Sequence, residues 1–252
     1  MALLVLLPRA GSGAPADPDA GLPPPALTEQ WTPVPPVISA PAGGVPSDAV
    51  VLFDGRSLNA WEPVTPGSKG WELKDGAMVI VPHRGFLRTK AAFGDIQLHL
   101  EFREPFPARG NGQGRGNSGV YFMGLYELQI LDSYQNPTYV NGQAASIYKQ
   151  YAPLADASRP PGEWQTYDAI FIAPRFAPDG RLLRPARATV FHNGVLVQYD
   201  VALKGRIAYR GPPSYAAHAA KLPLALQDHG DPVAFRNIWV RELKLPPAGA
   251  AR

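Results

Sequence analysis

The chain has no cysteine in 252 residues. That excludes a disulfide scaffold, a thiolate zinc site, an iron–sulfur cluster, a thiol nucleophile and lipidation through an N-terminal cysteine. Charge is also scarce. Only 18% of residues are charged, against the usual quarter or so, and the formal net charge is +3. No Lys/Arg stripe interleaved with aromatics occurs, so nothing points to nucleic acid as a partner. The N-terminal apolar run from Ala2 to Leu7 is too short for a bilayer, which takes about 20 residues, and no integral membrane segment is predicted. No amphipathic stretch longer than about ten residues has a helical period. What the chain does have is 29 prolines and 25 glycines, a composition that favours a turn-rich β protein over a helical bundle.

The prolines are unevenly spread. Pro8 to Pro46 holds 11 of the 29, with few charges and no periodicity, which reads as an extended linker. Before it, the apolar run and the small residues from Gly11 to Ala16 resemble the end of a secretory signal, although no basic residue precedes the run. A periplasmic or secreted location is therefore expected, with the signal incomplete. The expected organisation is a signal-like run and Pro-rich linker over 1–47, one domain over 48–245, and a flexible tail over 246–252.

Within the domain the dominant pattern is alternation with period two. Ile96-Gln-Leu-His-Leu-Glu-Phe-Arg103 alternates apolar and polar residues throughout. Asn193-Gly194 and Asp75-Gly76 each join two such runs, as type I′ hairpin turns do. Further strands are predicted at Val50–Phe53, Ser118–Met123, Glu127–Leu131, Thr166–Ile172, Leu222–Gln227 and Phe235–Leu245. This many strands predict an all-β fold, a two-sheet antiparallel sandwich of jelly-roll type.

Two strand ends carry groups suited to acid–base chemistry. In Tyr126-Glu-Leu-Gln-Ile-Leu-Asp-Ser133, Glu127 and Gln129 are two apart and share a face. A bulge would turn Asp132 to that face too, lining up two carboxyls and an amide over about 10–13 Å. Paired carboxyls are what glycoside cleavage uses. In Leu226-Gln-Asp-His-Gly230, a strand runs into Gln227, Asp228 and His229, where a carboxylate beside an imidazole would raise its basicity. No HxH or HExxH spacing is present, so no metal or other cofactor is indicated, although His229, Asp228 and Glu127 are all acceptable ligands of a divalent ion. The glycine-rich stretch from Gly110 to Gly119 leads into a strand rather than a helix, which argues against a phosphate cradle and for a loop presenting Asn117 and Ser118. The polar cluster Asn141-Gly-Gln143-Ala-Ala-Ser-Ile-Tyr148, with Trp164 further on, offers the amides and aromatic faces common in carbohydrate clefts, although Trp164 equally fits a core position at the start of a strand.

Taken in order, several of these segments carry a resemblance. They are Val51-Leu-Phe-Asp-Gly-Arg-Ser-Leu-Asn-Ala-Trp61, Gly116-Asn-Ser-Gly-Val-Tyr121, the strand ending in Ser133, Pro161-Gly-Glu-Trp-Gln-Thr-Tyr-Asp168, Leu226-Gln-Asp-His-Gly230 and Phe235-Arg-Asn-Ile-Trp239. Together they resemble the 3-keto-disaccharide hydrolase domain family over residues 48–245. The resemblance implies a concanavalin A-like sandwich, an exported bacterial protein, and a glycoside substrate oxidised at C3 by a separate glycoside 3-dehydrogenase. A C3 ketone acidifies the C2 proton, so one base and one acid suffice to expel the C1 substituent. On that reading His229 is the base, assisted by Asp228, and Glu127 or Asp132 the acid. Asn117, Gln129, Gln143 and Gln227 would hold sugar hydroxyls, and Arg236 or Arg88 would face the enolate oxygen. Two other classes compete. A laminarinase-type glycosidase has a similar strand, Glu-x-Asp-x-x-Glu, from which this chain departs at Gln129 and Asp132. A carbohydrate-binding module would use the same fold without catalysis.

Overall fold

The computed structural model describes residues 21–245, so the signal-like run, the start of the linker and the 246–252 tail lie outside the described residues. The chain divides into two compact units, Met1–Ile38 and Ser39–Arg252. The described part of the first holds a single 3-10 turn, Pro25–Leu27, opened by its prolines.

The second unit is built of strands: β1 (Val50–Phe53), β2 (Trp61–Pro63), β3 (Glu72–Lys74), β4 (Ala77–Val79), β5 (Leu87–Phe93), β6 (Ile96–Arg103), β7 (Ser118–Phe122), β8 (Tyr126–Ile130), β9 (Gln165–Ile172), β10 (Arg175–Phe176), β11 (Leu182–Arg184), β12 (Arg187–His192), β13 (Val195–Ala202), β14 (Leu222–Leu226) and β15 (Ala234–Glu242). Among the described residues there is no α-helix, as the missing helical period predicts. A larger antiparallel sheet runs β13-β12-β9-β6-β15-β4-β3, with β1 also on β15, and a smaller one runs β2-β5-β14-β7-β8. The two stack as a sandwich.

Alternation explains the packing. In β6, every second residue (Ile96, Leu98, Leu100, Phe102) is buried, while the residues between them are partly exposed. Opposite lie Val120, Phe122, Tyr126, Leu128 and Ile130 of the smaller sheet, all in one apolar cluster with them. Phe122 and Phe171 stack face to face across the core with centroids 4.6 Å apart. Each such large side chain stabilises the fold by about 1.5–3 kcal/mol on burial. Both predicted hairpin turns form, with Asp75, Gly76, Asn193 and Gly194 all at positive φ. Strand β5 was not legible in sequence, because its inward face includes the polar Thr89 beside Leu87 and its exposed face carries Arg88 and Lys90, which break the apolar pattern. Among the described residues no helix is long and apolar enough to cross a membrane.

Candidate functional site

The site lies on the outer face of the smaller sheet. Strands β7 and β8 pair without a register shift, so Gly119 faces Gln129 and Tyr121 faces Glu127. Because Tyr126, Leu128 and Ile130 take the core side, Glu127 and Gln129 point the other way. With Asn117, Tyr121, Gln227 and His229 they line a cavity of about 240 Å³, to which Tyr148, Ile207 and Tyr209 add a partial roof that leaves it open to solvent.

Hydrogen bonds hold its walls. The Ser118 hydroxyl donates to the Gln227 carbonyl (2.7 Å), the Gln227 amide to the Gly119 carbonyl (3.0 Å), and the Asn117 amide to Asp231 Oδ2 (2.9 Å). These fix the turn carrying His229 against β7. On the far side the Tyr148 amide donates to the Glu127 carbonyl (3.2 Å), and Tyr167 of the larger sheet donates its hydroxyl to the Gln129 carbonyl (2.7 Å). The roof is tied by the Ile207 amide to the Leu125 carbonyl and by Lys149 Nζ to the Tyr209 carbonyl, both at 2.8 Å.

Glu127 is 3% exposed, and its Oε2 has no hydrogen-bond partner; nor has the buried Oε1 of Gln227. An unpaired buried acceptor is costly unless a ligand supplies the donor. Burial raises the Glu127 carboxyl from its usual range to about 8, with a bond from Tyr121 acting in the opposite sense. At neutral pH it is therefore a protonated acid, in the way that tuned general acids are. Tyr121 is likewise pushed upward, first by burial and then by the neighbouring Glu127. The Gln129 amide reaches 3.2 Å from Glu127 Oε1. His229 stands exposed at the mouth.

Gly119 makes this crowding possible. A Cβ there would lie 2.6 Å from Glu127 Oε1 and 3.0 Å from Tyr121 Cε2, closer than carbon atoms approach without something moving. Gly119→Ala is expected to displace the Glu127 carboxyl and lower kcat/KM at least about tenfold, a 1.4 kcal/mol effect or more. Thermal melting of the same variant should shift far less than activity does; a variant with unchanged kcat/KM would mean the carboxyl position is not critical.

Of the residues expected at the site, Glu127, Gln129, Asn117, Gln227 and His229 are brought together; the others are not. Asp132 lies past the end of β8, and without a bulge it points away. Its carboxylate makes a bidentate pair with Arg115 (2.7 and 2.8 Å) and is 2% exposed. Asp228 does not bond His229, because its two oxygens accept from the Gly85 and Gly230 amides at 2.9 Å each and so shape the turn. Gln143 reaches the Asn136 carbonyl outside the cavity (3.4 Å). Arg236 belongs to the larger sheet, paired with Glu101 (2.6 Å) and stacked 4.0 Å over Trp164. Arg88 shares the site's face but pairs with Glu62 (2.8 Å), and β14 and β7 separate its strand from Glu127's, about 14 Å at the usual strand spacing. The sequence reading assigned no site role to Tyr121 or Tyr209, and reached Tyr148 only as the end of the polar cluster that starts at Asn141. Tyr121 left a further signal, since Asn117, Gly119 and Tyr121 alternate on one face.

A larger cavity of about 420 Å³, lined by Lys74, Arg103, Glu104 and Phe106 among others, gathers none of the expected residues. Burial raises Glu104 there to about 8 as well, but both its oxygens accept from Gln165 Nε2 (3.0 and 2.8 Å). Glu127 instead keeps an unpaired oxygen among convergent polar groups, which favours the smaller cavity as the site. Among the described residues no three His, Asp or Glu side chains converge as metal ligands.

A β-sandwich with amides, tyrosines and a neutral carboxyl on one sheet face is a carbohydrate-handling architecture. The chain belongs to the 3-keto-alpha-glucoside-1,2-lyase-like domain family, whose model matches residues 48–241. This places it among glycoside-cleaving proteins of the lyase or hydrolase kind. A crystal structure from Parabacteroides distasonis, of a protein named "putative glycosyl hydrolase", is 43% identical, with a TM-score of 0.83 over 94% of this chain and all of that one. A second protein of the same name and organism is 19% identical, with a TM-score of 0.58 over 78% of this chain and 94% of that one, and shares the fold. No curated protein sequence matches the chain.

Proposed function

We propose that the protein cleaves glycosides already oxidised to a ketone at C3, with His229 as base and Glu127 as acid. The observation that carries this reading is the single carboxyl of the cavity lining. A conventional retaining or inverting glycosidase needs two carboxyls flanking the bond, and Asp132, the second candidate, is tied to Arg115. With a C3 ketone, one carboxyl and one imidazole are enough. His229 takes the C2 proton, the C2–H electron pair forms an enolate with C3, and its return breaks the C1–O bond as Glu127 protonates the leaving oxygen. Water adding to the C1=C2 product gives net hydrolysis. Asn117, Gln129 and Gln227 hold the hydroxyls, the unpaired Gln227 oxygen accepting from one of them, while the unpaired Glu127 oxygen is the one available to the leaving oxygen. The reaction as written uses acid–base groups of this chain only, and a separate dehydrogenase supplies the ketone. An exported location fits the signal-like N-terminal run.

The test pairs a 3-keto-glucoside carrying a chromogenic aglycone with its unoxidised parent. Aglycone release is expected from the ketone alone. Equal turnover of both would favour a conventional glycosidase, and binding of either without release would make the domain a sugar-binding module.

A further inference from the structure

Resting on that reading, we infer that Tyr121 is a catalytic residue, the hydrogen-bond donor that stabilises the enolate oxygen at C3. The reaction places negative charge on that oxygen as the C2 proton leaves, and a fixed donor there is commonly the largest single contribution to the rate. Neither arginine expected in this role is at the cavity. Arg236 is committed to Glu101 and Trp164 on the larger sheet, and Arg88 to Glu62.

Tyr121 meets each requirement by position. It lies directly across the β7–β8 ladder from Glu127, and both side chains converge over Gly119, within 3.0 Å of where a Cβ would stand. Gln227 Nε2 donates to the phenol oxygen at 3.1 Å. That bond occupies a lone pair and leaves the phenol its one proton, which goes to Glu127 in the free protein and turns to the C3 oxygen when the substrate enters. The ring is held edge-on against Phe86, with centroids 5.4 Å apart. Tyr121 is 7% exposed, so bulk water competes little for its proton, and its upward-shifted pKa keeps it a neutral donor. A neutral phenol beside a neutral carboxyl is a known way to stabilise an enolate in an apolar site.

The electron flow is closed. The C2–H pair becomes the C2=C3 bond, the C3=O pair moves onto oxygen, and Tyr121 donates a hydrogen bond to that oxygen without losing its proton. When the oxygen's pair returns to re-form the ketone, the hydrogen bond weakens and the C1 substituent departs.

The test isolates enolisation from cleavage. A 3-keto-1,5-anhydroglucitol has the ketone and the C2 proton but no leaving group at C1, and exchange of that proton in D2O is read by NMR. Wild-type protein is expected to catalyse exchange, and Tyr121→Phe to slow it by about 10²–10³-fold, the usual effect of losing one such donor. Gln227→Met, which removes the bond orienting the phenol while leaving the tyrosine in place, should lose about tenfold and keeps the test decisive if Tyr121→Phe folds poorly. Wild-type exchange rates in a folded Tyr121→Phe, or in Gln227→Met, would overturn the role of Tyr121 alone. A wild type that neither exchanges this compound nor cleaves a 3-keto-glucoside would overturn the underlying reading as well.

Discussion

His229→Ala is expected to slow cleavage of a 3-keto-glucoside by about 10²–10⁴-fold, the range a well-placed general base contributes. The fold should survive the change. His229 is exposed at the cavity mouth and its side chain bonds no other group among the described residues, so melting temperature should move by no more than a few degrees. Two further measurements separate a base from a spectator. Deuterium at C2 should slow the wild type wherever proton removal limits the rate. Because the ring opens to solvent, added imidazole should restore part of the activity of the alanine variant. An alanine variant with wild-type kcat would remove His229 from the mechanism, since no neighbouring carboxylate stands behind it: Asp228 is held by the Gly85 and Gly230 amides.

Glu127→Gln is expected to reduce cleavage by a comparable factor, with the loss greatest for glycosides whose leaving group is a poor one. An activated aglycone departs without a proton, so the variant should be least impaired on a nitrophenyl substrate. The wild-type rate should fall as pH rises through about 8, where the buried carboxyl ionises, and the glutamine variant should lack that limb. The substitution is expected to change stability in the opposite sense to activity. Below pH 4.5 the carboxyl is protonated both folded and unfolded; between 4.5 and about 8 only the unfolded chain ionises. The native state then binds the extra proton, so wild-type stability falls across this window and levels off above it. At pH 7 the glutamine variant should therefore be the more stable by chemical denaturation, by on the order of 1–3 kcal/mol. A gain in stability paired with a loss of activity marks a group kept for function. If the two proteins show the same pH dependence of stability, Glu127 ionises as an ordinary carboxyl and its assignment as the acid fails.

The strands were largely legible because each is a local statement. Alternation in Ile96–Arg103 and the Asn193-Gly194 turn need no distant partner to be read. Strand β5 escaped because its inward face includes Thr89 and its outward face two basic residues. Half of the site was legible for the same local reason. Glu127 and Gln129 share a face by spacing alone, and the segment from Gln227 to Gly230 announces polar groups at a strand end.

What sequence could not place were contacts across long separations. Asp132 is three residues past Gln129, yet Arg115, from the glycine-rich loop, takes its carboxylate out of the site. Asp228 stands next to His229 but closes a loop with Gly85, 143 residues away in the chain. Tyr148 and Tyr209 reach the cavity from segments without strand periodicity. The sequence by itself determined a β-sandwich and one polar strand face, because side-chain direction along a strand follows from a period of two. The tertiary structure alone decided which carboxyl is free to act. That depends on which charged partner lies within hydrogen-bond distance and on how much water is excluded. Asp132 met a guanidinium and formed an ion pair, whereas Glu127 met no cation among the described residues and is buried from water, which raises its pKa against the pull of the Tyr121 bond.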